Sequence, residues 1–308
     1  MSSIPLRLTT VVLATGLLAA CGGSGDPLAT GSTSSTASSS GAASGSIVVG
    51  SADFSESQLL AYIYAGALQA KGINATTKLN IGAREIYLKA LVDGSIDVVP
   101  EYTGALGFFY DKAFSETDPD KVYAAVQGLI PDTLQVLAKS AAEDNDSINV
   151  TKATADKYKL SSIADLASVS GNLSLGAPPE FQTRPQGVEG LTKTYGVTFK
   201  TFRALKGQQL VQALANGQVD AANIFSTDPA IAANGFVTLT DDKRLFGSQN
   251  VVPLAVKAKV TPQVSAALDA VSAKLTTAAL ADMLKKTDID KTDPEVVAKE
   301  FLAANGLG

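Results

Sequence analysis

The apolar positions divide the chain into three stretches. Residues 8–20 are almost all apolar or small, and residues 22–46 are almost all Gly, Ser, Thr and Ala. From Ile47 onward short apolar runs alternate with helical periodicities. The third stretch opens on Ile47-Val48-Val49-Gly50, a buried-strand pattern. Leu59, Leu60, Ile63 and Leu68 then fall on one helical face, with Ser55 placed to cap that helix and Lys71-Gly72 to end it. A strand near 75–80, a helix near 83–93 and a strand over Ile96–Val99 follow. The alternation returns in Leu173–Gly176, a helix near 186–195, Phe199–Arg203, a helix near 207–216 and Val219–Phe225. Val251–Val256 is a last strand, and helices over 262–274, 276–286 and 294–304 close the chain, with Pro262 and Pro294 suited to a first helical turn. Strands and helices in this order predict an α/β fold of two open, mostly parallel sheets flanked by helices.

A repeat organises these elements. ALVDGSIDVVPEYT (90–103) and ALANGQVDAANIFS (213–226) align at an offset of 123 residues, pairing Gly94 with Gly217, Asp97 with Asp220 and Tyr102 with Phe225. The strand entering Val49-Gly50 matches the one entering Leu175-Gly176 at an offset near 126. Two units in the same order predict two lobes of similar plan. The expected division is 47–145 plus 251–308 for the first lobe and 146–250 for the second. Two crossings between lobes permit hinge closure. In open α/β sheets, ligands bind beyond the carboxyl ends of the strands. Tyr102 and Phe225, just past equivalent strands, would put an aromatic on each wall of the cleft. Rings so placed grip a cation or an apolar group; the plainer role for each is core packing.

Composition narrows the functions. The chain of 308 residues has no histidine, one cysteine, and 25 basic against 30 acidic residues. The commonest general base and metal ligand is missing, and no internal disulfide or cysteine cluster can form. No cofactor and no metal is expected. No basic run offers phosphate contacts, so nucleic acid is not an expected partner. The one cysteine, Cys21, follows Leu18-Ala19-Ala20 at the end of a short apolar run behind Arg7. That run is too short to span a bilayer and has the plan of a signal peptide. It resembles a bacterial lipobox, in which the cysteine becomes lipidated. Residues 21–46 would then be a flexible tether of about 25–30 Å root-mean-square reach.

The segments VGSADFSESQLLAYIYAGALQAKGI (49–73), DGSIDVVPEYTGAL (93–106), LGAPPEFQTRPQGVEGL (175–191) and NGQVDAANIFSTDPAI (216–231) resemble the substrate-binding proteins of glycine betaine, choline and proline ABC importers. The resemblance implies a two-lobed periplasmic-binding-protein fold that holds an osmoprotectant-type quaternary ammonium in an aromatic cage and delivers it to an ABC permease and its ATPase. It implies an extracytoplasmic, lipid-anchored protein, with monomer the simplest state. Tyr102 stands at the tyrosine of the PEYTG block. Phe225 precedes the Ser226-Thr227-Asp228 turn, whose Thr227 joins the expected ligand set. Arg184 is the arginine of the RPQG block, which in relatives can help with the carboxylate; here the alternative is that it braces the 178–186 loop. Asp144 matches an acidic position in the first crossing.

Departures from the family pattern bear on the ligand. Ala52 and Ala105 stand where relatives carry polar residues, and Asp146 and Gln249 where cage tyrosines are expected. A cleft with Asp144, Asp146, Asn223, Gln249 and Asn250 is more polar than a betaine cage. It suits choline, whose cation lacks a carboxylate, or a hydroxyl-rich or aromatic solute. Catalysis would have to use Asp144 and Asp146, or Glu101, as an acid–base pair. The triplet Asp144-Asn145-Asp146 reads more simply as a turn. Presentation of a ligand to a sensor is the remaining alternative to import.

Overall fold

A computed structural model describes residues 46–308. Cys21, the expected signal peptide and all of the expected tether before Ser46 lie outside the described residues. The chain begins with β1 (Ile47–Gly50), α1 (Ser55–Ala70), β2 (Ala75–Lys78), α2 (Arg84–Val92) and β3 (Val98–Tyr102). α3 (Thr103–Tyr110), α4 (Pro119–Leu129) and β4 (Leu134–Val136) complete the first passage. Next come β5 (Ile148–Val150), α5 (Lys152–Tyr158), β6 (Ser174–Ala177), α6 (Val188–Tyr195), β7 (Thr201–Ala204), α7 (Gly207–Ala215), β8 (Ala221–Asn223), α8 (Ala230–Asn234) and β9 (Val237–Thr238). The chain returns through β10 (Val251–Val256) to α9 (Pro262–Ser272), α10 (Thr277–Leu284) and α11 (Pro294–Ala304).

Two five-stranded sheets result, ordered β2-β1-β3-β10-β4 and β7-β6-β8-β5-β9. The sheets are mixed, which corrects the expectation of mostly parallel sheets. β2-β1-β3 and β7-β6-β8 are parallel, whereas β10 and β5 each run antiparallel to both of their neighbours. The antiparallel strand is in each case the first one after a crossing. The backbone enters from the opposite sheet and so runs the other way.

The first sheet is covered on both faces. Val98 and Val251 pack with Leu59, Leu60 and Ile63 of α1, while Val99 and Val252 pack with Leu88 and Leu91 of α2. Alternate residues of a strand point to opposite faces, so β3 and β10, buried on both, read as continuous apolar runs. Among the described residues no single helix is long and apolar enough to cross a membrane.

The repeat extends to individual atoms. Val49 pairs with Val98 in one sheet and Leu175 with Ala221 in the other, the same offsets of 126 and 123 residues. Asp97 Oδ2 accepts from the Val48 amide at 2.8 Å, and Asp220 Oδ2 accepts from the Ser174 amide at 2.8 Å. Each carboxylate thus ties the start of its strand to the first strand of its own sheet. Gly94 and Gly217 hold matching positive φ values of 77° and 67° in the turns before them. A side chain there would be strained.

Two local expectations change. Ser55 does not cap α1: Phe54 occupies the cap in extended conformation, with no side-chain bond. Ser55 Oγ instead donates to Asp288 Oδ2 at 2.7 Å, in a π-helical turn (Lys285–Ile289) that continues α10. The third strand extends further than Ile96–Val99, so Tyr102 is its last residue, while Phe225 lies beyond the end of β8. Pro262 and Pro294 do open their helices, behind Thr261 and Asp293 caps.

Asp97→Ala should cost about 1–3 kcal/mol, because it leaves a strand N–H without its acceptor. Asp97→Asn, which keeps an acceptor oxygen, should cost less. Urea unfolding of both variants checks this ordering.

Candidate functional site

The carboxyl ends of β3 and β8, the start of α1 and the first crossing border one cavity of about 570 Å³. Tyr102, Phe225, Asp144, Asp146, Arg184, Thr227 and Gln249 line it, as do Asn223 and the alanines Ala52 and Ala105. Asn250 is not on this lining. Its side chain is spent on the scaffold, with Nδ2 donating to the Ser140 carbonyl at 3.0 Å and Oδ1 accepting from Ser248 Oγ at 3.2 Å. Gln249 reaches the cavity with its amide already used: Oε1 accepts from the Ala105 amide at 2.7 Å and Nε2 donates to the Phe246 carbonyl at 2.9 Å. Gly104 lets this junction form, since a Cβ there would lie 2.5 Å from the Ser248 carbonyl oxygen.

At the centre lies a residue that the sequence reading did not single out. Glu56, in the first turn of α1, is only 3% exposed. Its Oε1 accepts from the Tyr102 hydroxyl and its Oε2 from the Thr227 hydroxyl, both at 2.6 Å. Tyr102 belongs to the first sheet and Thr227 follows the last parallel strand of the second, so one carboxylate bridges the lobes. Thr227 also donates its backbone N–H to Asp144 Oδ1 at 3.0 Å, joining a second buried carboxylate to the first. Asp146, partly buried, accepts from Asn223 Nδ2 at 3.1 Å.

Burial pushes the Glu56 carboxyl up to about 7, although the hydrogen bonds from Thr227 and Tyr102 pull the other way. Burial and then the neighbouring Glu56 charge hold Asp144 well above the usual carboxylate range. Asp146 is raised by burial, against the opposing hydrogen bond from Asn223.

Three rings meet in the cavity. Phe54 lies between Tyr102, at a centroid distance of 6.2 Å, and Phe225, at 5.4 Å. Tyr102 serves two roles, packing in the core of the first lobe while its hydroxyl reaches Glu56.

The cations on the lining are all engaged by the protein. Arg84, buried, forks onto Glu101 at 2.8 and 3.1 Å. Arg184 reaches across to Glu85 of α2 with both contacts at 3.3 Å. Lys206 pairs with Asp53, and Lys291 donates to the Asp288 carbonyl at 2.6 Å. The Arg184–Glu85, Lys206–Asp53 and Thr227–Glu56 contacts each join residues of opposite lobes. Glu101, a candidate acid in the enzyme reading, is thus consumed by Arg84, by the Tyr87 hydroxyl at 2.7 Å and by the Tyr102 amide at 2.8 Å. Among the described residues no group of three or more acidic or cysteine side chains is arranged to hold a metal ion.

The sequence did carry a sign of Glu56. It sits four residues before Leu60 and seven before Ile63, a carboxylate on the apolar face of α1. Phe54, two residues earlier, and Gln186, inside the RPQG block, carried no comparable signal.

A family model described as the substrate binding domain of ABC-type glycine betaine transport system matches residues 45–304. The chain is 27% identical over 274 residues to the carnitine transport binding protein OpuCC of Listeria monocytogenes, covering 86% of this chain and 88% of that protein. It is 28% identical over 284 residues to the glycine betaine-binding protein YehZ of Escherichia coli, covering 84% and 90%. The solved structure of a glycine betaine/carnitine/choline ABC transporter is similar with a TM-score of 0.68 at 27% identity, over 85% of this chain and 99% of that one.

The raised Glu56 value fixes a pH dependence. Between pH 4.5, the ordinary value, and about 7, the folded chain keeps a proton that the unfolded chain has lost. Stability of the solute-free protein therefore falls across this window and levels off above it, by a Glu56 contribution of about 3 kcal/mol at most. Glu56→Gln should flatten that part of the profile and raise the melting temperature at about pH 8. Thermal unfolding of both proteins across the window measures the difference.

Proposed function

The chain belongs to the family of substrate-binding domains of ABC-type glycine betaine transport systems, and we propose that it captures a small organic cation lacking a carboxylate and passes it to a membrane permease. The observation that carries this reading is the charge arrangement of the cavity. Three carboxylates, Glu56, Asp144 and Asp146, point into a space where Arg84, Arg184, Lys206 and Lys291 are already engaged by the protein. A carboxylate on the solute would add to the negative charge and find no unengaged cation. A positive charge would stabilise the ionised forms of Glu56 and Asp144, which burial disfavours. The rings of Phe54, Tyr102 and Phe225 add ring-face attraction for the same charge. Choline fits these requirements better than glycine betaine or carnitine.

Capture works by closure. The solute meets groups from both lobes, and its extra affinity for the closed form shifts the equilibrium toward it. Thr227–Glu56, Arg184–Glu85 and Lys206–Asp53 are the contacts that closure makes and opening breaks. The protein binds and releases without chemical conversion, acts as a monomer outside the cytoplasm, and is held to the membrane by a lipid on Cys21. The permease and its ATPase are its partners.

One observation favours a second reading, a zwitterionic solute. Arg184 holds Glu85 only at 3.3 Å, and Glu85 is 46% exposed. Arg184 could exchange that partner for the carboxylate of a betaine.

Calorimetry with choline and glycine betaine separates the two. The cation reading expects choline to bind tighter and Arg184→Ala to leave choline affinity nearly unchanged. Tighter betaine binding that Arg184→Ala abolishes would establish the zwitterion reading instead. Phe225→Ala should weaken choline binding by about 1–2 kcal/mol, since its partly exposed ring borders the cavity. Unchanged affinity in that variant would remove Phe225 from the ligand set.

A further inference from the structure

The charged pairs that bridge the cleft are sorted by lobe. Among the described residues two salt bridges cross from one lobe to the other, Lys206–Asp53 and Arg184–Glu85. Both acids belong to the first lobe and both cations to the second. Asp53 lies in the loop after β1 and Arg184 in the loop after β6, the corresponding strands of the two sheets. Glu85 is in the first turn of α2 and Lys206 stands directly before α7, helices that the repeat relates at the offset of 123 residues. Each pair therefore joins the first loop of one lobe to the second helix of the other. The loop that carries Arg184 is fixed by a fold-back at Gly187, where a Cβ would lie 1.8 Å from the Phe181 carbonyl oxygen, and the adjacent Gln186 is buried with it.

Two lobes of one plan could make both contacts with one acid and one base on each. The two loops would then carry like charges, and so would the two helices, so half of the four interactions across the cleft would be repulsive. With both acids on one lobe and both cations on the other, all four are attractive. The rims then draw together before any pair touches, over a range set by the Debye length. The side chains of Lys206, 54% exposed, and Glu85, 46% exposed, leave both pairs open to screening by salt.

We infer that this sorting of charge is an electrostatic clasp that draws the lobes shut, so that ionic strength sets how far the cleft closes and how tightly it holds a solute. This rests on the closure reading above and adds to it the force that acts between the lobes apart from the solute. The two Arg184–Glu85 contacts, at 3.3 Å, are long for a charged hydrogen bond, so the test falls on Lys206–Asp53.

Förster transfer between dyes placed one on each lobe, away from the rims, reports the separation of the lobes in the purified protein. With no solute added, transfer should fall as sodium chloride rises from about 10 mM to about 1 M, because the Debye length shrinks from about 30 Å to about 3 Å. Lys206→Gln should lower transfer at low salt and flatten its salt response, and Asp53→Lys combined with Lys206→Asp should restore both. Calorimetry with choline adds a test of sign. Removing the Lys206 charge beside the cavity would by its field alone tighten a bound cation, whereas loss of the clasp should weaken choline binding about two- to fivefold in Lys206→Gln. Transfer that ignores salt, or tighter choline binding by Lys206→Gln, would overturn the clasp, and normal closure on choline in the same protein would leave the closure reading standing. Transfer that responds to neither salt nor saturating choline would overturn both.

Discussion

A carboxylate removed from water must be met by donors or by positive charge, and that requirement organises this cleft. Glu56 is met by two hydroxyls, one from each lobe, and by no cation. The bridge through Tyr102 and Thr227 makes the electrostatics of the site and the closure of the lobes one problem. Whatever stabilises the charge on Glu56 also stabilises the arrangement that holds it. Asp144 shares Thr227 with Glu56, so the two carboxyl groups stand close enough for the Glu56 charge to raise the proton affinity of Asp144. The arginines that could have neutralised them are committed elsewhere, Arg84 to Glu101 and Arg184 to Glu85. The molecule thus keeps a deficit of positive charge at its centre, which the proposed cationic solute would supply.

The duplicated plan explains how such a centre is built. Each lobe places the end of a parallel strand, an aromatic ring and a turn at the cleft, and Asp97 and Asp220 fix the matching strands by the same amide contact. The two halves differ where they face the solute. The first supplies Tyr102 with a hydroxyl for Glu56, whereas the second supplies Phe225 and delegates the hydroxyl to Thr227. Similar frames with unlike side chains give a cleft with donors from both walls around one acceptor.

Much of the fold was legible in the sequence, because its signals are local and repeated. The helical spacing of Leu59, Leu60 and Ile63, the prolines at 262 and 294 and the offset of 123 residues all correspond to elements in place. The direction of β10 and β5 was not legible, since an apolar run buried on both faces reads alike in either sense. At the site, the motif residues Tyr102, Arg184 and Thr227 do come to the cavity, whereas Asn250 is spent on Ser140 and Ser248. Glu56 was obscured because a single acidic residue in a first helical turn is ordinary, and only tertiary packing buries it. Gln186 depends on the fold-back at Gly187, which has no sequence signature beyond the glycine itself.

The most direct test of the central claim is calorimetric titration with choline in buffers of different ionisation enthalpy, from about pH 5.5 to 8.5. Choline does not titrate in this range, so any proton exchanged comes from the protein. If the cation meets the buried carboxylates, binding lowers the Glu56 value from about 7. A proton is then released near neutral pH, and affinity rises as pH rises through that value. Glu56→Gln should lose the Glu56 part of both effects. Tight choline binding with no proton release and an affinity flat in pH would contradict the account.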